Sequence, residues 1–518
     1  MIPTLDQLEQ LDLHATEKLL LCGGDARLTI APDTGVNKYG CLAQPDTDLI
    51  AFGSSTGSTI SERGFAAATA LHQRLISQDS IASEGALYRH ELERIRMDFN
   101  RLCELPEQSG SATIFAASGT DLHLICAQLM ASDLPGQPPL HIIMMDASET
   151  GSGVAPAVRG QHFSNHAALG GQVGAFELMD GALPIAVTSI GLRHADGAKR
   201  TLTDIDGEVD GLIQASVANH QRVLLIMIDV SKTGLIAPSP HYIAQLRARY
   251  PDQVDVLVDA CQFRISSATL NAYLQLGCMV TLTGSKFLTG PVFSGILHIP
   301  AHLTPRLAHK KLPDALTDYS ARAEWPAHWL ATRHLSDQAN WGLLLRLEAA
   351  LAELRAFRAI SEADIADFLE QFAIAMQSAI GASPHFALMA ENRLSRSPIY
   401  HGHSWDQIPT IFPFLLLHRP GQPISREQTQ QIYRQLQLPL QLRTGDQLDP
   451  SIAAMRCQLG QPVLCGTQFG SEVSALRLCA SSRIIVEACS GNAHAAERII
   501  DRALQALEKA AYLIQKMC

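Results

Sequence analysis

The feature that most constrains the fold is a series of short apolar runs between about residues 110 and 300, separated by helix-like stretches. Runs this short, without strict polar and apolar alternation, are typical of strands buried on both faces. They predict an α/β fold with a mostly parallel seven-stranded sheet and helices on both faces, where ligands bind beyond the carboxyl ends of the strands. The predicted strands are Thr113–Ala117, His141–Met145, Ile185–Ile190, Val223–Ile228, Val254–Val258, Met279–Thr283 and Ser294–Ile299.

Beyond residue 300 the pattern changes to long helices and scattered strand-like pieces, which predicts a smaller α+β C-terminal domain. We expect an N-terminal segment at 1–60 that contributes to the active site or the small domain, a large domain at 61–325, and a linker helix with the small domain at 326–518. The predicted helices are Asp337–Phe357, Ser361–Ile380 and Ala493–Lys516, and the predicted strands are Thr410–Leu417, Ser474–Leu478 and Arg483–Glu487.

Charge and composition exclude several classes of partner. The net charge of −11 comes without any Lys/Arg-rich run, so we expect no nucleic-acid partner. The acidic, helix-patterned N-terminus is not a signal peptide, and the apolar runs are shorter than the roughly 20 residues that cross a bilayer. Eleven cysteines without CxxC pairs indicate reduced thiols. We therefore predict a cytoplasmic protein with no membrane partner.

Two ionisable residues follow predicted strands directly. Asp259 ends one apolar run and Lys286 comes just after another. A lysine at such a place is costly unless its charge is neutralised, which a Schiff base achieves, and an aspartate can keep a pyridine nitrogen protonated. Taken singly, Asp259 as a strand-end cap and Lys286 as a solvated loop lysine remain open alternatives.

A strand, a Ser-Gly-Thr turn and a helix start follow one another in the segment TIFAASGTDLHL. The backbone N–H groups at such a helix N-terminus, with the hydroxyls of Ser118 and Thr120, form an anion site suited to a phosphate. A simple helix cap is the alternative.

Together these segments resemble fold type I enzymes that depend on pyridoxal 5'-phosphate (PLP), in the family of class V aminotransferases and cysteine desulfurases. The resemblance rests on DACQ at 259–262, TGSKF at 283–287 followed by Gly-Pro, and the Ser-Gly-Thr turn. Asp121 stands where the family has Glu, and Ser285 replaces a common histidine. The resemblance implies a homodimer with Lys286 as the Schiff-base lysine, Asp259 as partner of the pyridine nitrogen, Gln262 as donor to the ring hydroxyl, and Ser118, Gly119, Thr120, Thr283 and Ser285 at the phosphate.

The same resemblance suggests further cofactor contacts in two turns. In DASETGSG, the family places the residue that stacks on the cofactor ring, so Glu149 or Thr150 is the candidate, with an ordinary turn as the alternative. In DVSKTG, the family places a polar residue near the ring, so Ser231 and Lys232 are candidates, with a loop role as the alternative.

Substrate binding is predicted at Arg477, which lies inside the apolar segment ALRLCASS and needs an anionic partner there. It resembles the family's arginine that binds the substrate α-carboxylate, which implies an amino-acid substrate. A structural carboxylate is the alternative partner. By the same resemblance, Arg27, Asn37 and Tyr39 in the early segment are candidate substrate contacts.

The sequence leaves the reaction open. Transamination needs only Lys286 as the proton shuttle, and the class V likeness favours it. A desulfurase also needs a mobile cysteine, for which Cys457 and Cys465 are the candidates, whereas β-elimination needs none. Decarboxylation and ligand binding without turnover remain further alternatives. No metal is predicted, because the histidine pair at 401 and 403 lacks a third ligand.

Overall fold

The computed structural model describes residues 15–77, 83–106, 110–131, 137–389, 393–492 and 494–517. The first fourteen residues of the predicted N-terminal helix pattern lie outside these ranges. The strands are β1 (Leu49–Phe52), β2 (Ala112–Ala116), β3 (Leu140–Met145), β4 (Ala186–Ile190), β5 (Arg222–Asp229), β6 (Ile236–Ala237), β7 (Val254–Asp259), β8 (Met279–Thr283), β9 (Gly295–Ile299), β10 (Phe386–Leu388), β11 (Ile411–Arg419), β12 (Gln422–Pro423), β13 (Arg456–Gln468) and β14 (Ser471–Cys479).

The α-helices alternate with these strands through the first part of the chain and then lengthen. They are α1 (Thr16–Leu19), α2 (Glu62–Ser77), α3 (Glu84–Leu102), α4 (Gly119–Met130), α5 (Val154–Val158), α6 (Leu202–Ala218), α7 (Pro240–Arg249), α8 (Ser267–Gln275), α9 (Thr304–Leu307), α10 (Trp341–Arg358), α11 (Glu362–Ala382), α12 (Arg426–Leu436), α13 (Pro450–Ala454), α14 (Ser482–Ala488) and α15 (Ala495–Met517).

The larger sheet has the strand order β2-β9-β8-β7-β5-β3-β4, with β6 paired to β5. Strands β8, β7, β5, β3 and β4 are parallel, and β9 runs antiparallel to both of its neighbours. Successive side chains enter opposite layers: Leu224 and Leu257 pack in one apolar cluster, while Leu225 and Val256 pack in the other. The predicted α/β fold, with a mostly parallel sheet covered on both faces, is confirmed.

A second sheet has the order β1-β13-β14-β11-β10, with β12 paired to β11. Strand β1 comes from the early part of the chain and pairs in parallel with β13, whereas the other pairs are antiparallel. The N-terminal segment therefore joins the C-terminal sheet. The domain boundaries themselves stay a prediction.

The segment before β1 is fastened to the long helix α10 by a buried arginine. Arg346 donates hydrogen bonds to the carbonyl oxygens of Leu20, Cys22 and Gly23 and, at 2.7 Å, to that of Phe293. Because a buried guanidinium that lost these acceptors would be costly, the segment is held against α10 and the turn before β9.

The C-terminal part differs from prediction in one wrong element and in several that were not predicted, among them α12 and β13. The Arg483–Glu487 run was expected to form a strand, but it lies in helix α14, where the hydroxyl of Ser481 accepts a hydrogen bond from Ile484 N and caps the first turn. The helix start that this cap stabilises outweighs the strand preference of the β-branched residues that follow it. Strand β13 was missed, because its glycines and proline resemble a loop.

Within the described residues, every helix is too short or too polar to cross a membrane. The described cysteines are all free thiols.

Candidate active site

A cavity of about 380 Å³ lies beyond the carboxyl ends of β5, β7 and β8. The end of the central parallel sheet forms its floor, and the N-terminal segment and β13 contribute its walls. This is where a sheet of this type is expected to bind ligands. Of the residues predicted for the site, all except Asn37 line this cavity.

Asp259, at the end of β7, lies 3.4 Å from Nε2 of His123 and accepts a hydrogen bond from Cys261 N at 3.1 Å. Burial raises the pKa of its carboxyl, but His123 and Lys286 together lower it by more, so the net pKa is well below its usual range. His123 Nδ1 lies 2.6 Å from Gly119 O and must donate, because a carbonyl only accepts. The buried Asp259 carboxylate is therefore ionised and faces the cavity.

Lys286 follows β8 in a turn and is half-buried at the cavity wall. Within the described part of the chain, its amine makes no hydrogen bond or ion pair. The neighbouring hydroxyls are engaged: Thr283 Oγ1 donates to Cys261 O at 2.6 Å, and Ser285 Oγ lies 3.3 Å from Ser294 Oγ. With its hydrogen on Cys261 O, Thr283 has none left for a phosphate in this arrangement, which weakens its predicted role.

The N-terminus of α4 meets an arginine from the N-terminal segment. Arg27 donates from Nη1 to Thr120 Oγ1 and from Nη2 to Ser118 Oγ, both at 3.1 Å. Its Nη2 also pairs with Asp25 at 2.6 Å, and the guanidinium lies 4.8 Å from the Phe293 ring centroid. Arg27 was predicted as a substrate contact, but it lies at the hydroxyls predicted to bind phosphate.

Asp121 is buried in the first turn of α4, where its carboxylate accepts a hydrogen bond from Ser118 Oγ. Burial, with Asp25 nearby, raises the pKa of Asp121 to about 6. Since the unfolded carboxyl titrates near about 3.9, the folded protein binds this proton more tightly. The resulting stabilisation is complete below the unfolded pKa and is lost as the pH rises through about 6.

As the pH rises from about 5 to about 8, the wild type loses this stabilisation and Asp121→Asn does not. We therefore expect the unfolding free energy of the variant to rise by about 1 kcal/mol relative to that of the wild type over this range. Asparagine keeps an acceptor for Ser118 but carries no charge. Urea unfolding of both proteins without added ligand measures the difference, with the exposed Asp33→Asn as the control. Parallel pH dependence of the wild type and Asp121→Asn would contradict the assignment.

Gln262 lies on the cavity wall and connects the turn after β7 to the segment after β1. Its Nε2 donates to Ser55 O at 3.0 Å, and Arg264 Nε lies 3.5 Å from its Oε1. The adjacent Thr56 also lines the cavity. The turn that follows β1 is thus part of the site, although its sequence matches no nucleotide-binding pattern.

Glu149 does not have a free side chain to stack on a ring. Its carboxylate accepts from Arg193 Nε at 3.0 Å, from Thr233 Oγ1 at 2.6 Å and from Ser231 Oγ at 2.7 Å. The predicted stacking role of Glu149 is therefore not supported, because these contacts hold it at the wall. Ser231 also belongs to this network, and its Oγ accepts from the backbone N–H of Thr233.

Arg477 lies on β14 with its guanidinium at the cavity wall. It donates to Thr56 Oγ1 at 2.9 Å, to Gln461 O, and to Lys232 O at 3.4 Å, while its buried Nε has no hydrogen-bond partner. Among the described residues, no carboxylate lies within ion-pair distance of it. Gly460 leaves room for the side chain, since a Cβ there would lie 3.0 Å from Arg477 Nε. The alternative of a structural carboxylate partner is thus not what the structure shows.

Asn37 is buried behind the cavity, and its predicted substrate contact is not supported by its position. Its Oδ1 accepts from Tyr39 N at 2.9 Å and from Cys41 N at 3.1 Å, which fixes the loop. The neighbours of Asn37 reach the cavity instead: Lys38 and Tyr39 both line it.

Sequence reasoning missed His123 and the Gln461–Leu464 stretch of β13. Helical spacing could have predicted His123, because it lies one turn after Gly119 and therefore on the same face of α4. The stretch on β13 has no local signal, since the pairing of β13 with both β1 and β14 brings it to the cavity.

The two cysteines considered as sulfur acceptors are buried in β13 and do not line the cavity. Their thiols contact the carbonyl oxygens of Leu436 and Val463, and burial raises the pKa of Cys457 to about 12 and raises that of Cys465. Among the described cysteines, Cys261 is the one at the cavity, and burial also raises its pKa. Neither candidate thiol is placed to accept sulfur.

His123, Asp259 and Cys261 also form a group that the sequence did not predict, with ligating atoms all within 4.8 Å of one another. Burial raises the pKa of the Cys261 thiol, which disfavours the thiolate that a metal ion would need from this residue.

Among the comparisons with known proteins, only the one with solved structures found matches. No family model and no curated protein sequence matches the chain. Among solved structures, C-DES with glycine covalently linked to its PLP cofactor is 13% identical, covers 89% of this chain and 99% of its own, and has a TM-score of 0.52. The chain has the same fold.

Two further solved structures have the same fold as this chain. The cystine C–S lyase C-DES in complex with cysteine persulfide is 14% identical over 88% of this chain and 98% of its own, with a TM-score of 0.50. A phosphoserine aminotransferase, SerC from Cytophaga hutchinsonii, is 12% identical over 89% of this chain and 99% of its own, also with a TM-score of 0.50. At these identities the likeness establishes the fold type I architecture and nothing about the reaction.

Proposed function

We propose that this protein is a PLP-dependent enzyme that acts on an amino acid, with Lys286 as the residue that binds the cofactor covalently. The observation that carries the proposal is a single cavity holding four groups: the Lys286 amine, the ionised Asp259, the hydroxyls at the start of α4, and Arg477 without a carboxylate partner. The volume of about 380 Å³ lies in the range of small-molecule sites.

Each part of the cofactor has a matching donor or acceptor. The N–H groups at the start of α4, with Thr120 and Arg27, suit the phosphate, whereas the Ser118 hydroxyl hydrogen is donated to Asp121. Asp259 suits a protonated pyridine nitrogen, and the Gln262 amide suits the ring hydroxyl. The close approach of α4 to the end of β7 requires Gly119, because a Cβ there would lie 2.9 Å from Cys261 Sγ.

When bound, the cofactor supplies an electron sink for negative charge at the substrate Cα. The residues of this chain then orient the substrate and move its proton. Arg477 binds the α-carboxylate, and the Lys286 amine moves the proton at Cα. Asp259, kept ionised by His123, holds the proton on the ring nitrogen.

Transamination is the reaction that we propose, because it needs no acid or base beyond Lys286. A desulfurase would need a thiol acceptor, and the buried positions of Cys457 and Cys465 argue against one. Elimination at a sulfur or another leaving group needs no thiol and is the alternative, and C-DES, which shares the fold, is described as a C–S lyase.

Half-reactions of the PLP-loaded protein with a panel of amino acids distinguish the two. We expect conversion of the cofactor to pyridoxamine phosphate with formation of a 2-oxo acid. Release of ammonia with pyruvate or sulfide would replace transamination by the lyase. If the protein binds no PLP, both the transaminase and the lyase proposals are wrong.

We expect Arg477→Lys to raise KM for the amino acid by about tenfold or more, because a point charge cannot replace the planar fork that binds a carboxylate. Steady-state kinetics with the amino acid and with the matching amine, which lacks the carboxylate, provide the measurement. The amine should be little affected. An equal loss with both compounds would remove Arg477 from carboxylate binding.

A further inference from the structure

The charged groups around the cavity are not balanced. Two of the cations that line it have carboxylate partners: Arg27 pairs with Asp25 at 2.6 Å, and Arg426 pairs with Glu472 at 2.8 Å. Lys38, Lys232, Lys286 and Arg477 line the same cavity, and within the described ranges no carboxylate lies at ion-pair distance from any of them. Lys286 is assigned to the covalent bond with the cofactor, which leaves the other three. The residues that line the cavity therefore carry an excess of positive charge before any ligand binds.

Lys232 is the most informative of these cations. It is half-buried, and its Nζ donates to the carbonyl oxygens of Ala147 and Ser148, both at 3.2 Å. Burial, then Arg477 and Lys286, lower the pKa of Lys232 to about 8, so most of the population is still charged at neutral pH. Carbonyl oxygens orient this ammonium but do not neutralise it.

The nearest acids do not provide the missing counter-ion. Glu149 is already paired with Arg193 at 3.0 Å and accepts two hydroxyl hydrogen bonds. The Asp146 carboxylate accepts from Ser148 N at 2.6 Å. Both lie beyond ion-pair distance of Lys232, although each raises its pKa slightly.

The backbone segments that carry these cations are linked by shared hydrogen bonds. Arg477 donates to the backbone oxygens of Lys232 and Gln461, and Gln461 Nε2 donates to Lys38 O at 2.9 Å. The proposed function assigns the cofactor phosphate to the start of α4 with Arg27, and the single charge of one α-carboxylate to Arg477. Neither anion is thereby assigned to Lys232, which lines the same cavity.

We propose, as a refinement that rests on the proposed function, that the substrate carries a second anionic group on its side chain, either a carboxylate or a phosphate monoester. Arg477 binds the α-carboxylate, and Lys232 binds the second anion. The exposed Lys38 adds positive charge at the mouth of the cavity. An uncharged substrate side chain would instead leave the half-buried Lys232 ammonium without a counter-ion, which is unfavourable.

The test uses the PLP-loaded protein and three matched substrate pairs: L-aspartate with L-asparagine, L-glutamate with L-glutamine, and O-phospho-L-serine with L-serine. Spectral titration gives the apparent Kd, and the half-reaction gives the specificity constant. We expect the anionic member of at least one pair to be favoured by about tenfold or more, because charge-assisted hydrogen bonds are the stronger ones. The favoured pair distinguishes a carboxylate from a phosphate.

Lys232→Gln should lower that preference by about tenfold or more, and Lys232→Arg, which keeps the charge, should preserve it. The exposed Lys311→Gln, outside the cavity, is the matched control and should also preserve it.

Two results would overturn the inference alone. One is reaction of neutral amino acids with the wild type as readily as their anionic partners. The other is an equal loss for both members of a pair in Lys232→Gln, which would indicate proton transfer instead. A loaded protein that reacts with no amino acid would refute the proposed function, and this inference with it.

Discussion

Replacing Lys286 with alanine should lower kcat by at least about a thousandfold, because the variant loses both the covalent anchor and the amine that moves the proton at Cα. The visible absorbance of the lysine-bound cofactor should disappear as well. The fold should survive, since the described structure gives the Lys286 amine no hydrogen bond or ion pair and the residue lies in a half-buried turn.

Absorbance spectra, single-turnover kinetics and circular dichroism of wild type and Lys286→Ala measure these effects. Lys311→Ala, an exposed lysine away from the cavity, is the control. A variant that still formed a reducible covalent adduct would identify a different anchor, and Lys232, in the same cavity, would be the next candidate.

Asp259→Asn should still bind the cofactor but lower kcat by about a hundredfold or more, because an uncharged amide cannot hold the proton on the pyridine nitrogen. Asparagine retains an oxygen that can accept from Cys261 N, so the turn after β7 should keep its shape. The expected pattern is a large loss in kcat with a small change in the Kd for PLP.

Fluorescence titration with PLP and half-reaction kinetics separate the two effects. The exposed Asp252→Asn, just before β7, is the matched control. Near-normal turnover in Asp259→Asn would remove Asp259 from its assigned role, whereas loss of PLP binding alone would assign it to cofactor affinity.

The central sheet could be predicted because its strands are buried on both faces. Each of the seven predicted runs overlaps an observed strand, and the run at Met279–Thr283 has the observed bounds. Asp259 and Lys286 were found for the same reason, since a charged residue at the end of an apolar strand is conspicuous in sequence. Local patterns thus sufficed wherever burial controlled the choice of residue.

The rest of the site depends on contacts between residues far apart in the chain. Arg27 reaches Ser118 and Thr120 across about ninety residues, and no local pattern specifies that pairing. Gln461 enters the wall only because β13 pairs with β14 and β1. The homodimer was inferred from family resemblance alone and stays a prediction.

Polar residues in turns were the hardest to assign. Glu149 follows β3 and lies on the cavity wall as expected. The Arg193 that pairs with it follows β4, so the pairing could not be predicted from the local sequence. Asn37 was the opposite case: its neighbours reach the cavity while its own side chain organises the loop. Which partner a turn residue takes is decided by tertiary packing.

Locating the covalent bond to the cofactor tests most directly whether Lys286 is the residue that binds PLP. The purified protein is incubated with PLP, reduced with borohydride, digested, and analysed by peptide mass spectrometry. We expect one stoichiometric pyridoxyl group, on Lys286. A pyridoxyl group on another lysine, or none after incubation with excess PLP, would contradict it.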